Sequence, residues 1–343
     1  MVYRLSRRNL IFTFMKSIVT FFFFQFLTFA LIAQAEPSQR KESVISKYNL
    51  EVNRDTKNRI TTDSEIDEMA QKSAFNFHYS VFLKSELGNK NYPALLQAYQ
   101  LDSTNSELFF ELAKYNETIG NEKTKREFCK KLQSEKFTAA LREYAYNTLM
   151  SVETNGILVT YGEKDTYPIW ILQTIENLRT DVKVLNYDLL VNSSYRNRIQ
   201  NELGIKLSKR YSQNIDILLE VAEKNPSKPI YYSLTLSHLV MKELKNNLYP
   251  TGLALKYSKT SFDNLLVLKT NWESKFKKNH LIPPENMESD RNMNLNYVLP
   301  LLQLSNYYKD NTMKLQQERV NNTILLLGKS ANKYKQVKSL LNK

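Results

Sequence analysis

Asn155-Gly-Ile-Leu-Val-Thr-Tyr-Gly162-Glu-Lys-Asp-Thr-Tyr-Pro168-Ile-Trp-Ile-Leu-Gln-Thr-Ile-Glu-Asn-Leu178-Arg-Thr-Asp-Val182-Lys-Val-Leu-Asn186 reads as a complete strand–turn–helix–strand unit. Gly156 to Gly162 is a short apolar run between glycines, which suits a strand buried on both faces. Turn formers follow, and Asp165 or Thr166 is expected to cap a helix whose first turn holds Pro168. Ile171, Leu172, Ile175 and Leu178 give that helix one apolar stripe. Asp181 then leads into a second strand, Val182 to Leu185. Two strands joined by a helix pair in parallel. The expected fold is therefore α/β: a small parallel sheet of three to four strands with crossover helices. Helical, repeat-like segments flank it on both sides.

The rest of the chain fits around that unit. It has 343 residues and 7 glycines, far fewer than turn-rich β architectures use, so most of it should be helical. Residues 1–35 read as a secretory signal. Arg4, Arg7, Arg8 and Lys16 precede or border the apolar run Ile18 to Ile32, and Ala33-Gln-Ala35 suits cleavage. An uncleaved anchor is the competing reading, and membrane association is expected only in that case. Either way the body should lie outside the cytoplasm, in the periplasm or at the cell surface. Residues 36–63 are polar and read as a tether. Residues 64–150 are helical in pattern, 151–260 form the α/β domain, and 261–343 are helical again. Pro229 to Thr235 is a third strand and Gly252 to Tyr257 a candidate fourth.

Between Ala98 and Glu122, Leu101-Asp…Asn105 is followed by Leu112-Ala113, Tyr115 and Gly120. This resembles the boundary between tetratricopeptide repeats and predicts a helix, a glycine turn and a helix starting near Glu122. A second resemblance rests on four blocks. Gly162, Asp165, Thr166, Pro168, Trp170, Leu172 and Gln173 form the first, and Arg179-Thr-Asp-Val182 with Asn186, Leu189, Leu190 and Asn192 the second. Lys228-Pro-Ile-Tyr-Tyr-Ser-Leu-Thr235 and Gly252-Leu-Ala-Leu-Lys-Tyr257 complete the set. Together they resemble the soluble extracytoplasmic portion of a bacterial family of multi-spanning membrane proteins similar to protein O-mannosyltransferases. Glu163 and Lys164 depart from that family's Asp-Asn, and nothing here corresponds to its membrane-embedded transferase half. The resemblance implies a glycosylation setting without carrying the transferase activity over.

In open α/β sheets ligands bind beyond the carboxyl ends of the strands. The loops expected there offer Glu163, Lys164, Asp165, Thr166, Asp188, Asn192 and His238 as candidate ligand-binding residues. Asp165, Asp188 and His238 are the set an enzyme would use for acid–base work. Helix capping and turn chemistry alone explain Asp165 and Thr166 and are the stronger reading, and Arg179 with Asp181 reads as a turn brace. No catalytic residue is assigned. His78, His238 and His280 are too scattered for a metal, and no phosphate-binding glycine loop is present, so no metal or cofactor is expected. Cys129, the single cysteine, reads as a small buried group. The net charge of +13 includes two short basic clusters, Lys123, Lys125, Arg126 and Lys275, Lys277, Lys278, which read as solvated faces with no nucleic-acid partner. The expected role is non-enzymatic: a binding or scaffold protein that meets envelope proteins through its helical repeats. The alternatives are a glycan- or glycolipid-binding accessory and an enzyme of unknown class. N-terminal sequencing of the fractionated protein should read Glu36 first. A cytoplasmic protein that retains Met1 would contradict the export reading.

Overall fold

The computed structural model describes residues 63–86, 90–208, 214–224, 228–236, 244 and 247–342. The signal, nearly all of the tether, and His238 lie outside the described residues. Five helices come first: α1 (Asp63–Lys84), α2 (Tyr92–Leu101), α3 (Phe109–Ile119), α4 (Glu122–Lys136) and α5 (Ala139–Met150). Gly120 closes α3 in a left-handed conformation, φ 73°, and Asn121 caps α4, so the glycine turn before Glu122 is where its residues place it. The α/β unit follows: β1 (Ile157–Thr160), α6 (Glu163–Thr174), β2 (Lys183–Asn186), a 3-10 turn (Tyr187–Val191), α7 (Ser193–Leu203), α8 (Asn214–Lys224), β3 (Ile230–Ser233), β4 (Leu248–Pro250) and β5 (Ala254–Tyr257). The chain ends in α9 (Asn264–Thr270), a π-helical turn (Asn271–Lys275), α10 (Glu288–Asn294), a 3-10 turn (Leu295–Tyr297), α11 (Val298–Asp310), α12 (Lys314–Ser330) and α13 (Tyr334–Leu341).

Among the described residues the sheet has five strands in the order β2-β1-β3-β5-β4. β1 pairs in parallel with both β2 and β3, through Leu158↔Val184 and Leu158↔Tyr231. The expected three strands and crossover helix are present, and every residue of β1 is buried. The expectation of a purely parallel sheet is corrected: β5 runs antiparallel to β3, and β4 antiparallel to β5. The β4–β5 pairing follows from the tight reversal at Thr251–Leu253. Gly252 sits there at φ 147°, and a side chain would collide with Ser151 and Phe276. A turn that short returns the chain alongside itself, whereas a parallel partner needs a long crossover.

Helix α5 is the pivot of the packing. Glu143, Asn147 and Ser151 repeat every four residues, so they share one face. Each meets backbone from the distant second half of the chain. Glu143 accepts the Asn279 and His280 N–H groups at 3.0 and 2.8 Å. Asn147 accepts from Lys277 N–H at 2.9 Å and donates to the Lys277 carbonyl at 2.8 Å. Ser151 Oγ accepts the Leu253 N–H at 2.9 Å. These bonds satisfy loop backbone that burial would otherwise leave unpaired.

The α5 carboxyl end is held by Arg179. Its guanidinium donates to the carbonyls of Leu149 (2.8 Å), Val152 (3.0 Å) and Glu153 (3.1 Å) and forks onto Asp181 at 2.9 and 3.0 Å. Asp181 also accepts the Asn155 N–H at 3.1 Å. The brace read from the sequence thus spans the entries to both β1 and β2. Arg179→Lys keeps the charge but loses the planar fork and with it donors to the Leu149, Val152 and Glu153 carbonyls. It should cost about 2–3 kcal/mol in chemical denaturation. A wild-type midpoint would show that the fork is dispensable.

Candidate functional site

The carboxyl ends of β1, β2 and β3 gather a compact polar cluster. Gly162, at φ 75°, turns the chain so sharply after β1 that α6 begins at Glu163. This corrects the expected cap. Gly162 is the N-cap, Asp165 is the third helical residue, and Pro168 falls in the second turn. Asp165 therefore reaches backwards, and its Oδ2 accepts the Tyr161 N–H at 2.9 Å, much as the third residue of a capping box does. The same oxygen accepts Ser233 Oγ at 2.5 Å and Thr235 Oγ1 at 2.6 Å from the end of β3. Thr166 takes no part in capping. Its hydroxyl donates to Thr160 Oγ1 at 3.0 Å and accepts from Asn186 Nδ2 at 3.0 Å. Asn186 also accepts the Leu189 N–H at 3.2 Å, which starts the 3-10 turn after β2.

Asp165 is 3 % exposed, and its Oδ1 is buried without a hydrogen-bond partner. Loss of water pushes its carboxyl up to about 6, against the pull of Ser233, Thr235 and the Tyr161 N–H.

The other candidates separate from this centre. Glu163 pairs with Lys136 at the end of α4 at 3.2 Å, and Lys164 donates to Ser289 of α10. Asn192 is a cap: its Oδ1 accepts the Ser194 and Tyr195 N–H groups, at 3.0 and 3.1 Å, and starts α7. Asp188 lies half-buried in the 3-10 turn, close enough to influence Tyr161, Tyr187 and the buried Lys114 of α3. Burial penalises the Lys114 ammonium, but Glu111 and Asp188 outweigh that penalty and its pKa is raised. His238 is outside the described residues. Asp165 and Thr166 are thus joined to Thr160, Asn186, Ser233 and Thr235, while Glu163, Lys164 and Asn192 serve neighbouring helices. Ser233 and Thr235 were missed by the sequence reading, although two hydroxyls spaced by two residues at a strand end share one face.

One basic cluster also departs from its reading. Lys125 is buried, paired with Glu117 and lying 4.9 Å from the centre of the Trp170 ring. Glu117, 2 % exposed, also takes Arg198 of α7. Arg126 donates to the Thr174 carbonyl. These cations fasten the helical layer to α6 and α7. Cys129 is fully buried, and burial pushes its thiol up to about 11. Among the described residues no group of three or more His, Cys, Asp and Glu is arranged to hold a metal. No helix there is long and apolar enough to cross a membrane.

Residues 141–202 match TMEM260-associated domain 2. The matched span runs from α5 through β1, α6 and β2 to α7, the part that carries the Arg179 brace, Asp165 and Thr166. TMEM260 proteins are protein-O-mannosyltransferase-like, the kind of family that the motifs resemble. The match covers less than a fifth of the chain. No curated protein and no solved structure matches it.

The Asp165 environment has a pH signature. Its folded pKa, about 6, exceeds the ordinary value of 3.8, so the folded state holds the proton more tightly. Its contribution is most favourable below the unfolded value and is lost as pH rises through the folded one. Between pH 5 and 7.5 this group alone should remove about 1 kcal/mol of stability. Denaturation midpoints of the wild type and Asp165→Asn across that range would test it. An unchanged slope in the variant would assign the pH dependence elsewhere.

Proposed function

We propose that this chain is an exported, non-enzymatic binding or scaffold protein of the cell envelope that works through protein–protein contacts. One observation carries the reading. The strand-end position where an α/β sheet receives a ligand is occupied by the protein's own hydrogen bonds: Asp165 Oδ2 takes three internal donors, and Thr166 is held between Thr160 and Asn186. The groups best placed to meet a substrate therefore tie β1, β2 and β3 together. Helical hairpins flank the sheet, and helix α1 and its neighbour α2 expose Phe77 and Leu96, apolar groups of the kind that protein partners cover.

A second reading keeps the envelope setting and replaces the partner by a glycan or glycolipid. Similarity to the TMEM260-associated domain supports it, as does the resemblance to the soluble part of bacterial protein-O-mannosyltransferase-like membrane proteins. On this reading Glu163, Lys164 and Asp188, half-buried around the strand ends, would line the site.

Photo-cross-linkers placed singly at Phe77, Leu96, Glu163 and Asp188 in living cells separate the two. The scaffold reading expects discrete protein adducts from Phe77 and Leu96 and none from Glu163 or Asp188. Saccharide adducts at Glu163 or Asp188, with glycan binding lost in Asp188→Ala at an unchanged melting temperature, would replace it by the glycan reading.

A further inference from the structure

From Arg319 to the end of the chain there is no Asp or Glu, while Arg319, Lys329, Lys333, Lys335, Lys338 and Lys343 supply six cations in 25 residues. The structure places most of this stretch on one hairpin, α12 packed on α13, where Val337 seats against Gly328. A side chain at Gly328 would collide with Val337, so the two helices meet at close range. The outer line of α12 runs Leu315, Arg319, Asn322, Leu326, Lys329, and all five are exposed. Their spacing of three and four residues keeps them on a single face over about 21 Å of helix. Leu315 and Leu326 are 57 % and 53 % exposed, and Tyr334 at the start of α13 is 41 % exposed. Apolar and cationic groups therefore share one line along α12. Glu318 flanks it near its beginning and is the last acidic residue in the chain.

We propose that this carboxyl-terminal hairpin docks on an anionic phospholipid surface. The inference goes beyond the binding role above and does not rest on it. Charge complementarity selects an anionic partner, since the stretch holds six cations and no acidic side chain. The exposed leucines and tyrosine then select a lipid interface over a dissolved polyanion. An interface takes leucine into its acyl boundary and tyrosine at headgroup level while lysines reach the phosphates. A polyanion in water offers only the charge.

The test uses the full chain and vesicles of phosphatidylcholine with or without about one-third phosphatidylglycerol. The amino-terminal segment carries Arg4, Arg7, Arg8 and Lys16 and favours anionic vesicles by itself, but it is the same in every variant, so the difference between wild type and hairpin variants is the readout. Anionic vesicles should bind at least about tenfold more tightly, and half-molar salt should abolish the difference. The combined variant Lys329→Gln, Lys335→Gln, Lys338→Gln should bind anionic vesicles several-fold more weakly than wild type, and Leu326→Ser with Tyr334→Ser should weaken vesicle binding without weakening binding to soluble polyglutamate. Melting curves check that these surface variants fold. Equal binding to both vesicle types, or a lysine variant that binds like wild type, would overturn the proposal. So would leucine and tyrosine variants that bind vesicles like wild type, which would make the hairpin a polyanion site.

Discussion

Where α5 stops and β1 begins, Arg179 donates to three backbone carbonyls, two of which also accept N–H groups of the same turn. The same side chain forks onto Asp181, which holds the Asn155 N–H. One residue thereby fixes where the helical layer ends, where the central strand starts and where its parallel neighbour enters. The polar face of α5 extends this hold: Glu143, Asn147 and Ser151 clamp loops that lie more than a hundred residues further along the chain. Helices α3 and α4 are attached separately, through Glu117 buried between Lys125 and Arg198. Removing either partner of such a buried pair strands a charge, so these joints resist piecemeal change more than they add stability.

The strand-end cluster is the outcome of this layout. With β1, β2 and β3 side by side, their last residues bring Thr160, Asn186 and Ser233 together beneath the start of α6. Asp165 and Thr166 close the gap with short bonds. The cost is a buried carboxyl that favours its proton. A cluster so placed can hold strand ends in register, and the protein uses its polar residues in that way.

Much of this was legible in the sequence, for physical reasons that differ by element. The β1–α6–β2 unit was readable because glycines bracket a continuous apolar run and an apolar stripe at helical spacing follows it. Cys129 was readable as core. The antiparallel edge was not, because β4 is three residues long and its direction depends on the conformation of Gly252. The start of α6 was misplaced because the positive φ of Gly162, not a side-chain cap, turns the chain. Lys125 was taken as surface because its partners, Glu117 and Trp170, come from other helices. The linkage of Asp165 to Ser233 and Thr235 spans about seventy residues, beyond any local pattern, although the spacing of the two hydroxyls was visible.

At each margin of the sheet the last residue of the edge strand offers little to another strand. On one side the Asn186 N–H of β2 donates to the Tyr195 hydroxyl at 3.1 Å. On the other, Pro250 of β4 brings no N–H, and its carbonyl accepts Asn264 Nδ2 at 2.8 Å. An incoming extended peptide would find a proline at one rim and a tyrosine plug at the other, so strand addition is disfavoured as a way of engaging this protein. The same plugs keep two copies from readily zipping their sheets into a continuous ribbon.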